Sequence, residues 1–208
     1  KAQMLNNIIG IGTVQSYKGE YDNALANYEI AHKIAEEIDS EPGIGRILSH
    51  MGVVNFHRGN DDKALESWEK SLTIAELLED KILISQNVFN IGNVYVRKDD
   101  YDKALKNYEK SLAIDEELNS KGDLHLVFNN IGLIHSNKGD LDKALDYYGR
   151  TLAIREELGD KFGMGYSLMH IGVTYYDKGD IEKAINKLEK SLAIKKEIGV
   201  GTDVLLAI

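Results

Sequence analysis

The chain has 208 residues, one proline and no cysteine, and its 34 acidic against 25 basic side chains leave a net charge of −9. With 43% hydrophobic and 28% charged residues it has the profile of a soluble folded protein, long enough for a sizeable core in one or two domains. The missing cysteine excludes disulfides, thiolate metal sites and a Cys nucleophile and fits a reducing compartment, the acidic balance argues against a nucleic-acid binder, and neither a signal peptide nor a membrane-length apolar run is visible.

A period of forty residues runs through the chain. Ile11-Gly12, Lys18-Gly19-Glu20 and Asp22-Asn23-Ala24 form the first copy. Met51-Gly52, Arg58-Gly59-Asn60 and Asp62-Lys63-Ala64 form the second. The third is Ile91-Gly92, Lys98-Asp99-Asp100 and Asp102-Lys103-Ala104, and the fourth Ile131-Gly132, Lys138-Gly139-Asp140 and Asp142-Lys143-Ala144. Ile171-Gly172, Lys178-Gly179-Asp180 and Glu182-Lys183-Ala184 close the series. The copies divide a single array into units of about 1–40, 41–80, 81–120, 121–160 and 161–200, with 201–208 as the start of a truncated sixth unit or a cap. Lys1 lies inside the pattern, and Val204, Leu205, Leu206 and Ile208 are too apolar for a free tail, so the parent protein is expected to continue.

Each unit reads as two helices. In the fourth, Phe128, Ile131, Gly132 and His135 share one face of a helix over about His125–Asn137. Gly139 stops it with a left-handed residue, and Asp140 is placed to cap the next helix. That second helix, about Leu141–Leu158, turns Leu141, Ala144, Leu145, Tyr148, Leu152 and Ile154 inward. A glycine inside a helix costs roughly 1 kcal/mol against alanine, so Gly132 and its equivalents imply close packing, as does the alanine column Ala24 to Ala184. Asp99 replaces the turn glycine in the third copy; the same turn is expected, slightly destabilised. Trp68 shares the phase of Tyr108 and Tyr148 and reads as core.

The residues Phe128, Ile131-Gly132, His135, Ala144, Tyr148 and Thr151 resemble the signature of the tetratricopeptide repeat (TPR) family. Val88, Ile91-Gly92, Tyr95, Ala104, Tyr108 and Ser111 repeat it, as do Leu168, Ile171-Gly172, Tyr175, Ala184, Leu188 and Ser191. The forty-residue period and the missing closing proline resemble the subclass in Pins/LGN scaffolds and kinesin light chains. The resemblance implies an all-α fold, a right-handed superhelical solenoid of stacked antiparallel helix pairs in five units, with the first helix of each pair lining a concave groove.

Leu126, Asn129, Asn130, Leu133, Ser136 and Asn137 fall opposite the intra-pair face, so by resemblance they face that groove. Read across the copies, Gly10, His50, Asn90, Asn130 and His170 form one column, with Thr13, Val53, Asn93, Leu133 and Val173 in a second. Ser16, Phe56, Val96, Ser136 and Tyr176 form a third, and Arg46, Gln86, Leu126 and Tyr166 a fourth. An Asn side chain donates and accepts, so it can pair with the backbone of an extended peptide. The candidate peptide-binding residues are therefore Asn90, Asn93, Asn130, His50, His170, Arg46 and Gln86, with Phe56, Phe89 and Tyr166 as apolar anchors. Asn60, Asn107 and Asn186 lie outside the groove, so composition is the competing reading of the asparagines. Asn93 and Asn130 match the asparagines of the family's carboxylate clamps, but Phe89, Tyr166 and His170 stand at the cationic positions, so an internal peptide is expected rather than a C-terminus.

No residue pattern points to catalysis, a metal or a cofactor: the six histidines make no H-E-x-x-H motif, and the Gly-x-Gly pairs lack the third glycine. The expected function is a cytoplasmic, non-enzymatic scaffold that binds a protein or peptide, without nucleic acid or membrane. The alternative is the sensor module of a larger signalling protein. Self-association through uncapped ends is a further expectation.

Overall fold

A computed structural model describes residues 1–199, the side chains of residues 121 and 122 excepted. The expectation for 201–208 lies outside the described residues. Every element among them is an α-helix: α1 (Ala2–Tyr17), α2 (Tyr21–Glu37), α3 (Glu41–His57), α4 (Asp61–Leu77), α5 (Lys81–Arg97), α6 (Tyr101–Glu117), α7 (Lys121–Asn137), α8 (Leu141–Leu158), α9 (Lys161–Asp177) and α10 (Ile181–Glu197). The observed α8 has the expected bounds, whereas α7 begins four residues before the apolar spacing shows it, because its first turn is polar.

The backbone repeats every twenty residues, twice as often as the sequence. Gly19, Asp39, Gly59, Glu79, Asp99, Asn119, Gly139, Gly159, Gly179 and Gly199 all have positive φ. Around them the helix ends share one hydrogen-bond pattern. The N–H of Gly139 donates to Ser136 O at 3.0 Å and that of Asp140 to His135 O at 2.8 Å. Asp99 and Asp100 do the same with Val96 and Tyr95. This is the Schellman arrangement, in which two orphan carbonyls are satisfied by a left-handed residue. Asp99 thus makes the expected turn at φ 56°. Caps follow at the next residue: Asp80, Asp160 and Asp180 accept from Leu83, Gly163 and Lys183 N–H. Asp140 holds the cap position but makes no such bond; its carboxylate lies 3.3 Å from His135 Nδ1 instead.

The chain forms two compact units, Lys1–Ile114 and a second from Asp115 onward. In the first, α1 packs on α2 and α3, α3 on α4 and α5, and neighbours α2–α3 and α4–α5 also pack. In the second, α7 packs on α8, α8 on α9 and α9 on α10. Within each pair the helices touch where a large side chain, an aromatic ring in four of the five, lies on a glycine. A Cβ on Gly12 would stand 2.7 Å from Tyr28, and one on Gly52 2.5 Å from Trp68. Gly92 and Gly132 meet Tyr108 and Tyr148 in the same way, and Gly172 meets Leu188. The alanines Ala24, Ala64, Ala104, Ala144 and Ala184 are all buried, as is Trp68. A second tie recurs: Ser71 Oγ donates to Gly45 O at 2.7 Å and Ser191 Oγ to Gly165 O at 2.6 Å. The odd-numbered helices bury a wider stripe than their own pair requires. Ile47, Val54, Asn87 and Val94 are all fully covered, because α3 and α5 also meet the preceding pair.

Candidate functional site

The helix stagger leaves a partly solvated face on the odd-numbered helices, and each unit has a recess there. The recess of the first unit holds about 520 Å³. Thr13, Ser16 and Tyr17 of α1 and Tyr21 and Tyr28 of α2 form one side. Ser49, His50, Val53 and His57 of α3 and Gln86 and Asn90 of α5 form the other. It thus brings together three expected residues, His50, Gln86 and Asn90. His50 stacks on Tyr28 with ring centroids 5.5 Å apart and planes 9° apart, and Tyr21 stacks on His57 at 6.2 Å and 3°. Burial, reinforced by the Arg46 guanidinium, lowers the His50 pKa from its ordinary value. Tyr28 donates to Thr13 Oγ1 at 3.2 Å, since the Thr13 hydroxyl already donates to Ile9 O.

The remaining expected residues of this unit stand outside the recess. Arg46 is exposed, its Nε 3.4 Å from Pro42 O. Asn93 is half-buried and accepts from the Tyr108 hydroxyl at 2.6 Å, which ties its carbonyl oxygen to the core. Phe56 packs 5.9 Å from Trp68 and lies under Arg97, whose guanidinium carbon is 3.6 Å from the ring centre. Arg97 also donates to Phe56 O and pairs with Asp61, so that ring is covered. Phe89 leans half-buried on Tyr108 at 5.6 Å.

The second unit has a recess of about 300 Å³, lined by Asn129, Arg155, Asp160, Phe162, Gly163, Tyr166 and His170. Tyr166 and His170 are the expected residues it contains. His170 repeats the geometry of His50, stacking on Tyr148 at 5.1 Å. Burial, then Arg155 and Lys195, lower its pKa. Burial also pushes the Tyr148 phenol up to about 12. Lys195 stands 4.6 Å from the Tyr166 ring centre. Asn130 is half-buried beside this recess and accepts from Asn129 Nδ2 at 3.4 Å.

Arg155 went unnoticed in the sequence because its column, Ala35, Ala75, Asp115 and Lys195, has no common character. Its Nη1 donates to Gly163 O at 2.6 Å and Ser167 Oγ at 3.0 Å, and its Nε is 3.8 Å from Asp160, beyond hydrogen-bond reach. The rest of the first recess was legible only by comparing sizes. Gly10, Thr13 and Ser16 stand where the second sequence repeat has His50, Val53 and Phe56, and the small side chains open the space.

Among the described residues no three His, Cys, Asp or Glu side chains stand together as a metal site, and no helix is long and apolar enough to cross a membrane.

The family model of the tetratricopeptide repeat matches residues 2–76, 43–117 and 123–197. No curated protein matches the chain. Among solved structures, BtubC (BKLC) from P. vanneervenii is similar at TM-score 0.86 and 21% identity, over 95% of this chain and 82% of that one. The Pyrococcus horikoshii STAND protein with a tetratricopeptide repeat sensor is similar at TM-score 0.82 and 23% identity, over 90% of this chain and 29% of that one. The nearly identical TPR-like repeats of a Podosopora anserina kinesin light chain are similar at TM-score 0.75 and 16% identity, over 94% and 96%. At these identities the likeness concerns the fold.

Proposed function

The chain belongs to the tetratricopeptide repeat family, and from that premise we propose that it is a non-catalytic interaction scaffold holding a peptide segment of a partner protein against its odd-numbered helices. One observation carries the reading. At a single position of α3, α5, α7 and α9, His50, Asn90, Asn130 and His170 are all half-buried and partly open to solvent, with three of them in recesses. Half-buried donors and acceptors suit the unpaired N–H and C=O groups of an extended strand. Gln86, Arg46 and Tyr166 stand one turn away and extend the contact, while Phe56, Phe89 and Asn93 serve it as a packed floor. We place this work in the cytoplasm, which a cysteine-free chain fits. The sensor alternative rests on fold likeness alone.

The test is peptide selection from a displayed library with the purified chain and with Asn90→Ala/Asn130→Ala, both checked for equal helicity. The intact chain enriches a peptide family and the variant loses it. Equal enrichment by both would move recognition off this face, and no enrichment would overturn the reading.

The chain ends support self-association with a second copy, head to tail. Arg58–Asp22, Lys98–Asp62 and Lys178–Asp142 join successive pairs at one spacing of 36 residues. Lys18 at the C-cap of α1 and Glu182 on α10 stand at the positions of the two halves of another such pair. Val14 is 54% exposed where its equivalents Val54 and Val94 are at 0%, and Leu188 is 37% exposed where Tyr148 is at 1%. Met4 and Ile11 join Val14, and Ile181 and Ile185 join Leu188, in these open faces. Exposed ion pairs contribute little strength, so the charges set register and the apolar faces supply affinity. Sedimentation should show concentration-dependent association that Val14→Glu and Leu188→Lys each abolish; a monomer at high concentration would end the idea.

A further inference from the structure

The recess of the first unit differs from the rest of the molecule in charge. In a chain that is 28% charged, none of its lining residues is Asp, Glu, Lys or Arg. The imidazole at its floor, His50, has a lowered pKa through burial and is neutral at pH 7. What the walls offer is flat rings and neutral hydrogen-bonding groups. Tyr21 with His57, and Tyr28 with His50, form two nearly parallel ring pairs, and the Ser16 hydroxyl and the amides of Gln86 and Asn90 stand among them. A carboxylate or ammonium group entering such a space would lose water and gain no counter-charge. A cation would face the rings favourably, but it would find no acid in the lining and Arg46 close by. An aliphatic group would bury its surface and leave the amides unpaired. A flat, uncharged ring bearing an O–H or N–H satisfies both kinds of wall, through offset stacking and a hydrogen bond.

We propose that this recess receives the side chain of a tyrosine or tryptophan in the bound peptide and so sets the sequence preference of the scaffold. The inference rests on the peptide-binding reading above. The space exists because Gly10, Thr13 and Ser16 are small; a Cβ on Gly10 would meet nothing within 4 Å. The second sequence repeat closes the same place with Phe56, which also shows that the fold accepts a ring there.

The test uses the full chain, isotope-labelled for NMR, titrated with acetyl-Ala-Ala-X-Ala-Ala-amide peptides in which X is Tyr, Trp, Leu, Lys or Glu. The Tyr and Trp peptides should shift the resonances of Tyr17, Tyr21 and His57 and bind up to about tenfold more tightly than the other three. Ser16→Phe should fill the recess and abolish the preference. Tyr17→Ala, at an exposed ring that carries no core contact, should weaken it several-fold with helicity unchanged. Equal binding of all five peptides would overturn the ring preference and leave the groove reading standing; no binding of any would overturn both. Binding of N-acetyltyrosinamide as tight as that of the Tyr peptide would assign the recess to a free small ring and overturn the proposal. An unaltered preference in Ser16→Phe would place the ring elsewhere.

Discussion

Gly132 of α7 lies beneath the ring of Tyr148 in α8, so close that a Cβ would stand 2.8 Å from it. The same pairing recurs with different partners, which turns the repeat into a built-in mutation series. Alanine gains roughly 1 kcal/mol of helix propensity over glycine, while overpacking costs about 1–3 kcal/mol. Gly52→Ala, against the rigid and buried Trp68, should destabilise the chain by about 1–2 kcal/mol. Gly172→Ala should cost less, because Leu188 is partly exposed and can turn aside, although the Ala184 carbonyl oxygen also lies 3.3 Å from the added Cβ. Urea denaturation of the two variants checks the order; a more damaging Gly172→Ala would contradict it.

Glu79 adopts φ 54° at a turn where six equivalents are glycine. A left-handed conformation costs a non-glycine residue about 1–2 kcal/mol. Glu79→Gly should therefore raise stability by about 1 kcal/mol, Asp39→Gly and Asp99→Gly by less, and Asn119→Gly least. Thermal melts that rank Asn119→Gly highest would refute the strain argument.

The two stacked imidazoles make stability depend on pH in a definite direction. His50 and His170 have pKa values below the ordinary 6.5, chiefly through burial. The unfolded chain therefore binds more protons than the folded one just below that pH. Their contribution is full above about 6.5 and is lost as the pH falls toward the depressed folded values. Exposed carboxylates paired with lysines, such as Asp100 and Asp180, are lowered and act only at more acidic pH. Melting temperature should decline between pH 7 and 5, and His50→Asn/His170→Asn, which copies Asn90 and Asn130, should flatten that decline. An unchanged slope would assign it to other groups.

Arg155 and Gly163 fit one another as a pair. A Cβ on Gly163 would stand 2.7 Å from the Arg155 side chain and closer still to the Asp160 carboxylate. At the corresponding places the first unit has Ala75 and Leu83. Arg155→Ala should cost about 1–3 kcal/mol through lost hydrogen bonds and space, and Gly163→Leu alone should overpack. The double variant should recover the part of the loss due to Arg155, the Asp160 carboxylate remaining beside the new side chain. Additive damage in the denaturation cycle would show that the two positions are independent.

The glycines, rings and alanines that hold each pair together were legible in the sequence because they return at one phase and have one steric reason. The turns were legible where Gly or Asp99 marks them. They were not legible at Glu79 or Asn119, where the backbone is imposed by two satisfied carbonyls rather than by the residue. The candidate site was less open to reading. Periodicity finds the face on which His50, Gln86 and Asn90 lie, yet it cannot say that they share one recess, that Arg97 covers Phe56 or that Tyr108 occupies Asn93. Those contacts come from long side chains crossing between helices, which no column records.

Turns of one form at every helix end have a kinetic consequence. A growing chain could dock a new helix onto the wrong neighbour, one full repeat out of step, and still satisfy every backbone cap, ring and glycine. Such tandem chains risk being trapped in miscounted assemblies. What tells one copy from another is the unevenness: Trp68 in one, Leu188 in another, and Arg155, which has room beside Gly163 and would collide with Leu83. The irregular residues act as counting marks, and smoothing the array toward its own consensus should slow its refolding even as it raises its stability.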